Sequence, residues 1–228
     1  MKKLNFIIKY GLALLLLSFY SCESWLNVTP SDRLSEEMLF NDREGFVKAL
    51  NGVYIELNTN ELYGRNLTAG ALDVMGQYYS VASSSHAFYN YGGLVYTGND
   101  EKALFDNMWQ KCYAVIACCN TIIEKCDENK AGLSPVWKGS IKGEALALRA
   151  MLHFDMLRLF GPLTSELDKE SIPYQTNSDQ TVTPLLSGSE VIGLILDDLK
   201  NAVGLLKDTD PYFCLLYTSP SPRDRTRS

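Results

Sequence analysis

Histidine is scarce in this chain: only His86 and His153 occur among its 228 residues. Histidine is the side chain that most readily gains and loses a proton near neutral pH, and it is the commonest metal ligand. The sequence also contains no nucleophile elbow and no phosphate-binding loop. We therefore predict that the chain is not an enzyme, that it has no catalytic or metal-ligating residues, and that it carries no cofactor.

Carboxylates are more plentiful, and they occur as adjacent pairs such as Glu36-Glu37 and Asp197-Asp198. Glycoside hydrolysis requires two carboxyl groups that face each other across a cleft. Neighbouring residues on a helix do not face each other. We interpret both pairs as solvated charges on helix surfaces, and an exported glycan hydrolase is a less favoured alternative.

The six cysteines do not form a disulfide pattern. Cys112, Cys119 and Cys126 recur every seven residues in a helical segment, which places neighbours about 10.5 Å apart and beyond the reach of a disulfide. No Cys-x-x-Cys pair supports a zinc site. We expect these three thiols to be buried and unreactive, and Cys118 to point elsewhere.

Basic residues are outnumbered, with 21 Lys and Arg against 27 Asp and Glu. Residues 22–213, which exclude the two chain ends discussed next, hold 15 basic and 26 acidic residues, a net charge of −11. Such a domain repels phosphate backbones, so nucleic-acid binding is not expected. Neutral ligands or a protein partner fit this charge better.

The apolar run near the amino terminus is short. The run at residues 11–17 is far below the roughly 20 residues that a membrane-spanning helix needs. It follows three lysines and precedes Ser21-Cys22, which is the pattern of an export signal. We assign residues 1–21 to a signal peptide that resembles those of bacterial lipoproteins, in which Cys22 is lipidated and becomes the mature amino terminus.

Residues 214–228 differ in composition from the helical sequence before them. Their back-translation from Cys214 to Asp224 resembles the end and adapter of a transposon-based sequencing library, read in frame. We therefore expect this disordered segment to be an artefact, and the natural sequence to be interrupted near Phe213. The alternative is a natural tail rich in Ser, Pro and Arg.

Apolar residues at intervals of three and four predict four amphipathic helices. The first covers residues 41–57, with Asn41 and Glu44 as a capping box. The second follows Asn99 as its cap and ends before the polar turn at 127–132. The third begins with Ser134 as cap and Pro135 at its first position, and it stops at Gly161-Pro162. The fourth covers residues 189–206.

The second and third of these helices are joined by a short polar link, which predicts an antiparallel hairpin. Gly139 and Gly143 weaken the interior of the third helix, so we expect them to allow another helix to approach closely. Strand signals are scarce, and residues 163–184 are interpreted as irregular. The predicted fold class is all-α, with tetratricopeptide-like helical hairpins and long ordered loops.

The segment from Leu62 to Gly98 loses this periodicity and fills with Tyr, Gly, Ser and Asn, with a short helix predicted near residues 70–80. Sugars present apolar C–H faces and a rim of hydroxyls, so a sugar site combines aromatic rings with short polar side chains. The candidate glycan-binding residues are Asp73, Gln77, Tyr78, Tyr79, Tyr89, Asn90 and Tyr91. The alternative is that these tyrosines pack the loop onto the helices.

Three stretches carry a resemblance to the SusD/RagB outer-membrane lipoproteins of Bacteroidetes-type bacteria. The first begins at Cys22 and reads CESWLNVTP, the second combines GEALALRA from Gly143 with FDMLRLFGP from Phe154, and the third is DDLKNA from Asp197. The likeness covers residues 22–213 in order. It corresponds to the amino-terminal portion of a family whose members are more than twice this length.

The resemblance implies a carbohydrate-binding protein for nutrient uptake that is lipid-anchored and exposed on the cell outer membrane. It further implies a SusC-type TonB-dependent transporter as partner, to which starch or another glycan is delivered. On this resemblance Arg149, Asp155 and Arg158 hold ion pairs in the scaffold. A tetratricopeptide-like adaptor lipoprotein that binds only protein is the alternative function.

Overall fold

The computed structural model describes residues 36–179 and 182–206. The predicted signal peptide, the lipidation residue Cys22 and the segment 214–228 lie outside these ranges. The chain divides into two units between Met38 and Leu39. The features discussed below lie in the second unit.

The described part of the chain is mostly helical, which confirms the all-α fold class. Two long helices and two of intermediate length form its body, and the single two-stranded sheet of the described residues lies in one connection. The helices are α1 (Glu36–Leu39), α2 (Arg43–Leu57), α3 (Ala71–Met75), α4 (Tyr89–Gly92), α5 (Asn99–Glu128), α6 (Pro135–Phe160) and α7 (Gly188–Leu205). The strands are β1 (Glu170–Pro173) and β2 (Leu185–Ser187).

Both ends of α6 agree with the sequence prediction. Its cap is Ser134, and Pro135 follows at the first helical position. Ser134 accepts a hydrogen bond from the backbone N–H of Trp137, and α6 ends before Gly161, as predicted. Two other caps were predicted one residue away from their true position. The cap of α2 is Asp42, whose carboxylate accepts from the N–H of Gly45 at 2.8 Å, and the cap of α5 is Gly98. Asn, Asp and Gly are all favoured caps, so sequence alone does not separate Asn41 from Asp42 or Asn99 from Gly98.

The α5–α6 hairpin is confirmed by contacts that run in opposite directions along the two helices. Lys142 binds the Asp127 carboxylate at 2.6 Å near the link, and Arg149 binds Asn120 at 2.8 Å further along. Beyond them, the thiol of Cys112 lies 3.9 Å from the carbonyl oxygen of Leu152. The residue number falls on α5 as it rises on α6, so the helices are antiparallel.

Helix α7 packs antiparallel along α6, and the two interior glycines of α6 face it. A Cβ atom on Gly143 would lie 3.2 Å from the carbonyl oxygen of Ala202 and 2.8 Å from Leu206, and one on Gly139 would lie 3.3 Å from the carbonyl oxygen of Leu205. A side chain at Gly143 would therefore force α7 or Leu206 to shift, and one at Gly139 would make a tight contact with α7. This confirms the predicted reason for their presence.

A buried polar network joins α5, α6 and α7. Arg149 is 6% exposed and forms two hydrogen bonds of 2.7 Å to the Asp198 carboxylate, with Nε and Nη2 on different oxygens. Tyr174 donates to the same carboxylate at 2.6 Å, and Asn120 accepts from Arg149. The ion-pair role predicted for Arg149 is confirmed. The interpretation of Asp198 as a solvated charge is wrong, because this carboxylate is buried and paired.

His153 is fully buried in the same region and has a structural role. Its ring stacks on Tyr174 at 3.9 Å between centroids, its Nδ1 lies 2.9 Å from the Arg149 carbonyl oxygen, and its Nε2 accepts from the backbone N–H of Gln175 at 3.1 Å. The two partners fix the neutral tautomer with the proton on Nδ1. Burial lowers the pKa of His153 to about 4.

The thiols of α5 are placed as predicted. Cys112, Cys119 and Cys126 are fully buried, whereas Cys118 is exposed, and all four are free. Burial raises the pKa of each buried thiol, to about 12 for Cys119 and Cys126. Such thiols remain protonated and are poor nucleophiles.

The connection between α6 and α7 contains a short sheet that the sequence did not predict. Strands β1 and β2 pair antiparallel, with Glu170 opposite Ser187 and Pro173 opposite Leu185. Ile172 is fully buried at the centre of β1. Strands of three and four residues give too few positions for an alternating pattern to be recognised.

One face of α7 remains uncovered by the described residues. Leu196, Leu199 and Val203 recur at intervals of three and four and are 48%, 39% and 72% exposed. The adjoining face, with Val191, Ile195 and Ala202, is buried against α6 and the connection. In the described ranges no helix has the length and apolarity needed to cross a membrane.

Candidate functional site

The segment between α2 and α5 is an ordered series of turns that carries two short helices. Helix α3 confirms the short helix predicted near residues 70–80, whereas α4 was not predicted. The turns from Thr59 to Gly70 are closed by backbone hydrogen bonds, including Gly64 to Thr59 at 3.0 Å and Gly70 to Arg65 at 2.8 Å. Helix α3 follows directly and ends at Gly76. The chain then loops out and returns through α4 toward the start of α5.

This loop segment encloses a cavity of about 330 Å³. Its volume lies at the lower end of the range for small-molecule sites, roughly 300–1,000 Å³. The lining combines two aromatic rings, two side-chain amides and small or apolar residues. The lining residues are Gln77, Tyr79, Ser80, Val81, Tyr89, Asn90, Gly92, Gly93 and Val95.

The cavity brings together four of the seven candidate residues, namely Gln77, Tyr79, Tyr89 and Asn90. Tyr79 and Tyr89 are each 42% exposed, so each presents part of its ring to solvent. The Tyr79 hydroxyl donates to the Ala69 carbonyl oxygen, which anchors this ring to the turns that precede α3.

Both amides of the cavity are held by hydrogen bonds to the protein. Gln77 Nε2 donates to the Gly92 carbonyl oxygen at 2.8 Å, and Asn90 Nδ2 donates to Glu101 Oε1 at 2.7 Å. The first bond connects the two sides of the loop segment. The second connects the loop to the first turn of α5.

The other three candidates are placed differently. Tyr78 is 83% exposed and Asp73 is partly buried, and neither residue lines the cavity. Tyr91 is 2% exposed. Its selection as a stacking platform is therefore corrected: a ring buried on all sides offers no face to a sugar.

Tyr91 instead belongs to an aromatic cluster next to the cavity. Its ring meets Phe88 at 5.8 Å, Tyr96 at 6.4 Å and Phe105 at 5.9 Å between centroids, in edge-on or tilted arrangements. Phe105 continues the cluster to Phe160 at the end of α6. Burial, together with the nearby Glu101 and Asp100 carboxylates, raises the pKa of Tyr91 to about 12. The cluster fixes the loop segment to the helical scaffold.

A larger cavity of about 650 Å³ lies between α5, α6 and α7. Its charged lining residues are occupied with protein partners, since Arg149 binds Asp198 and Lys142 binds Asp127. The side chain of Ile123 forms an apolar part of the wall of this cavity.

No arrangement typical of catalysis occurs at either cavity in the part of the chain that the structure describes. His86 accepts a hydrogen bond from the N–H of Phe88 at 3.1 Å, and Ser83 bonds Ser85 at 2.8 Å. No three side chains among His, Cys, Asp and Glu of the described residues are grouped so that they could hold a metal ion. The loop cavity, with its partly exposed tyrosine rings and its two amides, is the candidate binding site.

Comparison with known proteins agrees with this arrangement. Residues 24–221 match the family model of SusD-like proteins, which is described as starch-binding and associating with the outer membrane. The chain belongs to the SusD-like family. This match covers most of the chain and confirms the family resemblance of the sequence.

Individual relatives show the same likeness. A SusD-like protein of Formosa agariphila is 27% identical over 199 residues, which are 80% of this chain and 34% of that protein. The SusD-like chain described here spans about a third of the length of the curated relatives it matches.

Solved structures share the fold. A SusD superfamily protein of Bacteroides thetaiotaomicron superposes with a TM-score of 0.57 at 20% identity, over 73% of this chain and 38% of that one. A candidate sugar-binding protein of Bacteroides vulgatus gives a TM-score of 0.58 at 25% identity, over 72% and 37% of the two chains. The helical hairpins of the SusD-like fold are therefore present in this chain.

Sequence reasoning missed several residues at the loop cavity. Ser80, Val81 and Val95 line it without any chemical signal that marks them in the sequence. Glu101 was missed as well, although it lies only 11 residues after its partner Asn90. An acidic residue in the first turn of a helix is ordinarily explained by the helix dipole, so its contact with the loop gave no separate signal.

Proposed function

We propose that this chain is the glycan-capturing part of a surface-exposed lipoprotein of the outer membrane, which delivers its glycan to a SusC-type TonB-dependent transporter. The description of the family as starch-binding and associated with the outer membrane supports the proposal. The structural likeness to a candidate sugar-binding protein also supports it. The role is binding rather than catalysis.

The observation that carries the proposal is the chemistry of the loop cavity. Tyr79 and Tyr89 supply partly exposed rings that suit the apolar C–H face of a sugar, and Gln77 and Asn90 supply amides for its hydroxyls. A site of this kind needs both groups within one small cavity. The cavity brings together residues up to 18 positions apart in the sequence.

Backbone strain at the same place adds support. Gln77 has φ of 59° and Leu94 has φ of 56°, so both occupy the left-handed region that favours glycine. This conformation costs roughly 1–2 kcal/mol for a side chain such as leucine. Strain of this type persists where the surrounding structure enforces it, and it is concentrated at binding and catalytic sites. Both strained residues flank the cavity.

We expect Tyr79→Ala and Tyr89→Ala each to weaken glycan binding by about thirtyfold, because truncation of an important aromatic at a binding surface costs more than about 2 kcal/mol. The full chain is first screened on an array of uncharged and acidic polysaccharides. Titration calorimetry with a bound glycan then gives the affinity of each variant, and circular dichroism verifies folding.

Phe154→Ala is the matched control, because Phe154 on α6 is a similarly exposed aromatic, at 47%, outside the cavity. This variant is expected to bind like the unmodified chain. Tyr78→Ala tests whether an exposed ring next to the cavity extends the site. If both cavity tyrosines can be truncated in a folded chain without loss of affinity, glycan capture does not occur here.

Membrane attachment is tested at the proposed lipidation residue, Cys22. We expect a palmitate analogue supplied to growing cells to label the chain and to leave Cys22→Ser unlabelled. Attachment requires more than one acyl chain, because a single chain binds membranes only marginally. Cys118→Ser is the control for labelling at an exposed thiol. Equal labelling of Cys22→Ser and the unmodified chain would exclude an anchor at this residue.

A protein-binding adaptor is the second candidate function, and the uncovered face of α7 favours it. Leu196, Leu199 and Val203 form an apolar stripe with the spacing that helices use to pack on one another. Binding of a protein partner that survives loss of both cavity tyrosines would support the adaptor function.

A further inference from the structure

The two amides of the loop cavity have fixed orientations. Gln77 Nε2 donates to the Gly92 carbonyl oxygen at 2.8 Å and lies 3.4 Å from that of Val74. A carbonyl oxygen can only accept a hydrogen bond, so the nitrogen of the Gln77 amide must face these two groups. The atom of Gln77 that remains for a ligand is its oxygen.

Asn90 is oriented in the same way by a carboxylate. Its Nδ2 donates to Glu101 Oε1 at 2.7 Å, and Glu101 is 6% exposed. Because an ionised carboxylate only accepts hydrogen bonds, the nitrogen of Asn90 faces Glu101. The Asn90 oxygen is therefore available to a ligand.

Glu101 is itself held in place by the start of α5. The hydrogen bond from Asn90 and the backbone N–H of Glu101 both lower the pKa of its carboxyl, which keeps it ionised. A Cβ atom on Gly98 would lie 2.0 Å from Glu101 Oε2, so the carboxylate folds back against a position that only glycine leaves open. The geometry of Asn90 thus depends on Gly98 as well as on Glu101.

The lining of the cavity contains no cationic side chain. Its nine lining residues are uncharged, and the carboxylate of Glu101 lies directly behind Asn90. Arg65 is the cation that contacts this segment, and it is engaged over the ring of Phe88 at 5.7 Å and with Asn66 at 3.1 Å. An anionic ligand would therefore meet two amide oxygens and a nearby carboxylate without a compensating positive charge.

We propose that the loop cavity selects an uncharged sugar, which donates its hydroxyl hydrogens to the oxygens of Gln77 and Asn90, and that it rejects sugars bearing carboxylate or sulfate groups. Glu101 is the positioning residue for this selection, since it fixes the amide of Asn90 without lining the cavity. The inference rests on the proposed function, and it names the class of sugar that the site accepts. Desolvating an anion without a countercharge is costly, whereas the hydroxyls of an uncharged sugar satisfy the two acceptors.

The test compares oligosaccharides that differ only in oxidation at C6. The probes are cellohexaose, β-1,4-mannohexaose and α-1,4-galactohexaose, each paired with the hexauronate of the same linkage and configuration. We expect the full chain to bind at least one uncharged hexamer at least tenfold more tightly than its hexauronate. A hexauronate that binds as tightly as its uncharged counterpart overturns the inference, and so does binding of none of the uncharged hexamers.

Glu101→Gln examines the positioning role. Glutamine can donate as well as accept, so it allows the Asn90 amide to turn and present its nitrogen to the cavity. We expect the ratio of uncharged to uronate affinity to fall at least threefold with unchanged thermal unfolding. Asp100→Asn removes the same charge at the neighbouring exposed position and should preserve the ratio. If the ratio of uncharged to uronate affinity is the same in Glu101→Gln as in Asp100→Asn, Glu101 does not contribute to the selection.

The tyrosine variants separate failure of this inference from failure of the proposed function. If a hexauronate binds best and Tyr79→Ala abolishes its binding, the cavity captures glycans but the selection is wrong. If a hexamer binds and neither tyrosine matters, the cavity is not the site, and the proposed function is rejected for this segment.

Discussion

Replacing Arg149 with methionine is expected to lower the free energy of unfolding by about 3–5 kcal/mol, because it leaves the buried Asp198 carboxylate without its cation. Arg149 forms two hydrogen bonds of 2.7 Å to Asp198 and one of 2.8 Å to Asn120. Removing one member of such a pair costs far more than removing both. Denaturant unfolding followed by circular dichroism measures the effect.

Two variants provide the comparison. Arg158→Met on the same helix breaks an ion pair of 2.9 Å in which the guanidinium is exposed and Asp155 keeps its hydrogen bond from Tyr63, and it should cost less than about 1 kcal/mol. The double variant Arg149→Met with Asp198→Leu should recover much of the stability, because an apolar pair can replace a buried ion pair. A loss below 1 kcal/mol for Arg149→Met alone would show that the pair does not hold α6 and α7 together.

Acidification from pH 7 to pH 4.5 is expected to destabilise the chain by roughly 2 kcal/mol through His153 alone. The pKa of His153 is about 4 in the folded chain, against about 6.5 when unfolded. In this window the unfolded state binds the proton and the folded state does not, so stability falls as pH falls. Protonation of Nε2 would break its hydrogen bond from Gln175, beside the positive charge of Arg149.

The chain contains its own control for this experiment. His86→Gln changes the only other histidine, which is exposed in the loop segment, and should leave the pH dependence intact. His153→Gln should flatten the stability profile between pH 7 and 4.5. Carboxyl groups with lowered pKa, such as those of Glu101 and Glu190, contribute mainly below this window, because their unfolded-state protonation begins only near its lower end. Parallel profiles for His153→Gln and the unmodified chain would contradict the assignment.

The long helices were predictable because their signals are local. Two adjacent residues mark each end of α6, Ser134-Pro135 at its start and Gly161-Pro162 at its end. The Arg149–Asp198 pair joins residues 49 positions apart, and nothing in the acidic doublet shows that Asp198 is buried while Asp197 is exposed. That difference arises only when α7 docks on α6.

The loop site was predictable in composition but not in detail. Aromatic and amide residues gathered in one segment indicated the cavity, and four of them line it. Tyr89 and Tyr91 are chemically identical and two positions apart, yet one lines the cavity and the other is buried in the cluster with Phe105. A short helix between strained turns decides which ring faces solvent, and the sequence contains no periodicity long enough to reveal it.

The reactivity of the three buried thiols of α5 can report where this helix separates from its neighbours. Cys112, Cys119 and Cys126 lie about two helical turns apart along the core, and each can react with a thiol reagent only after the helices around it separate. Cys118 is exposed, so we expect it to react in the closed chain and to give the reference rate. The order in which the other three are modified would show whether the α5–α6 hairpin opens first at its link, near Cys126, or beside the loop segment, near Cys112.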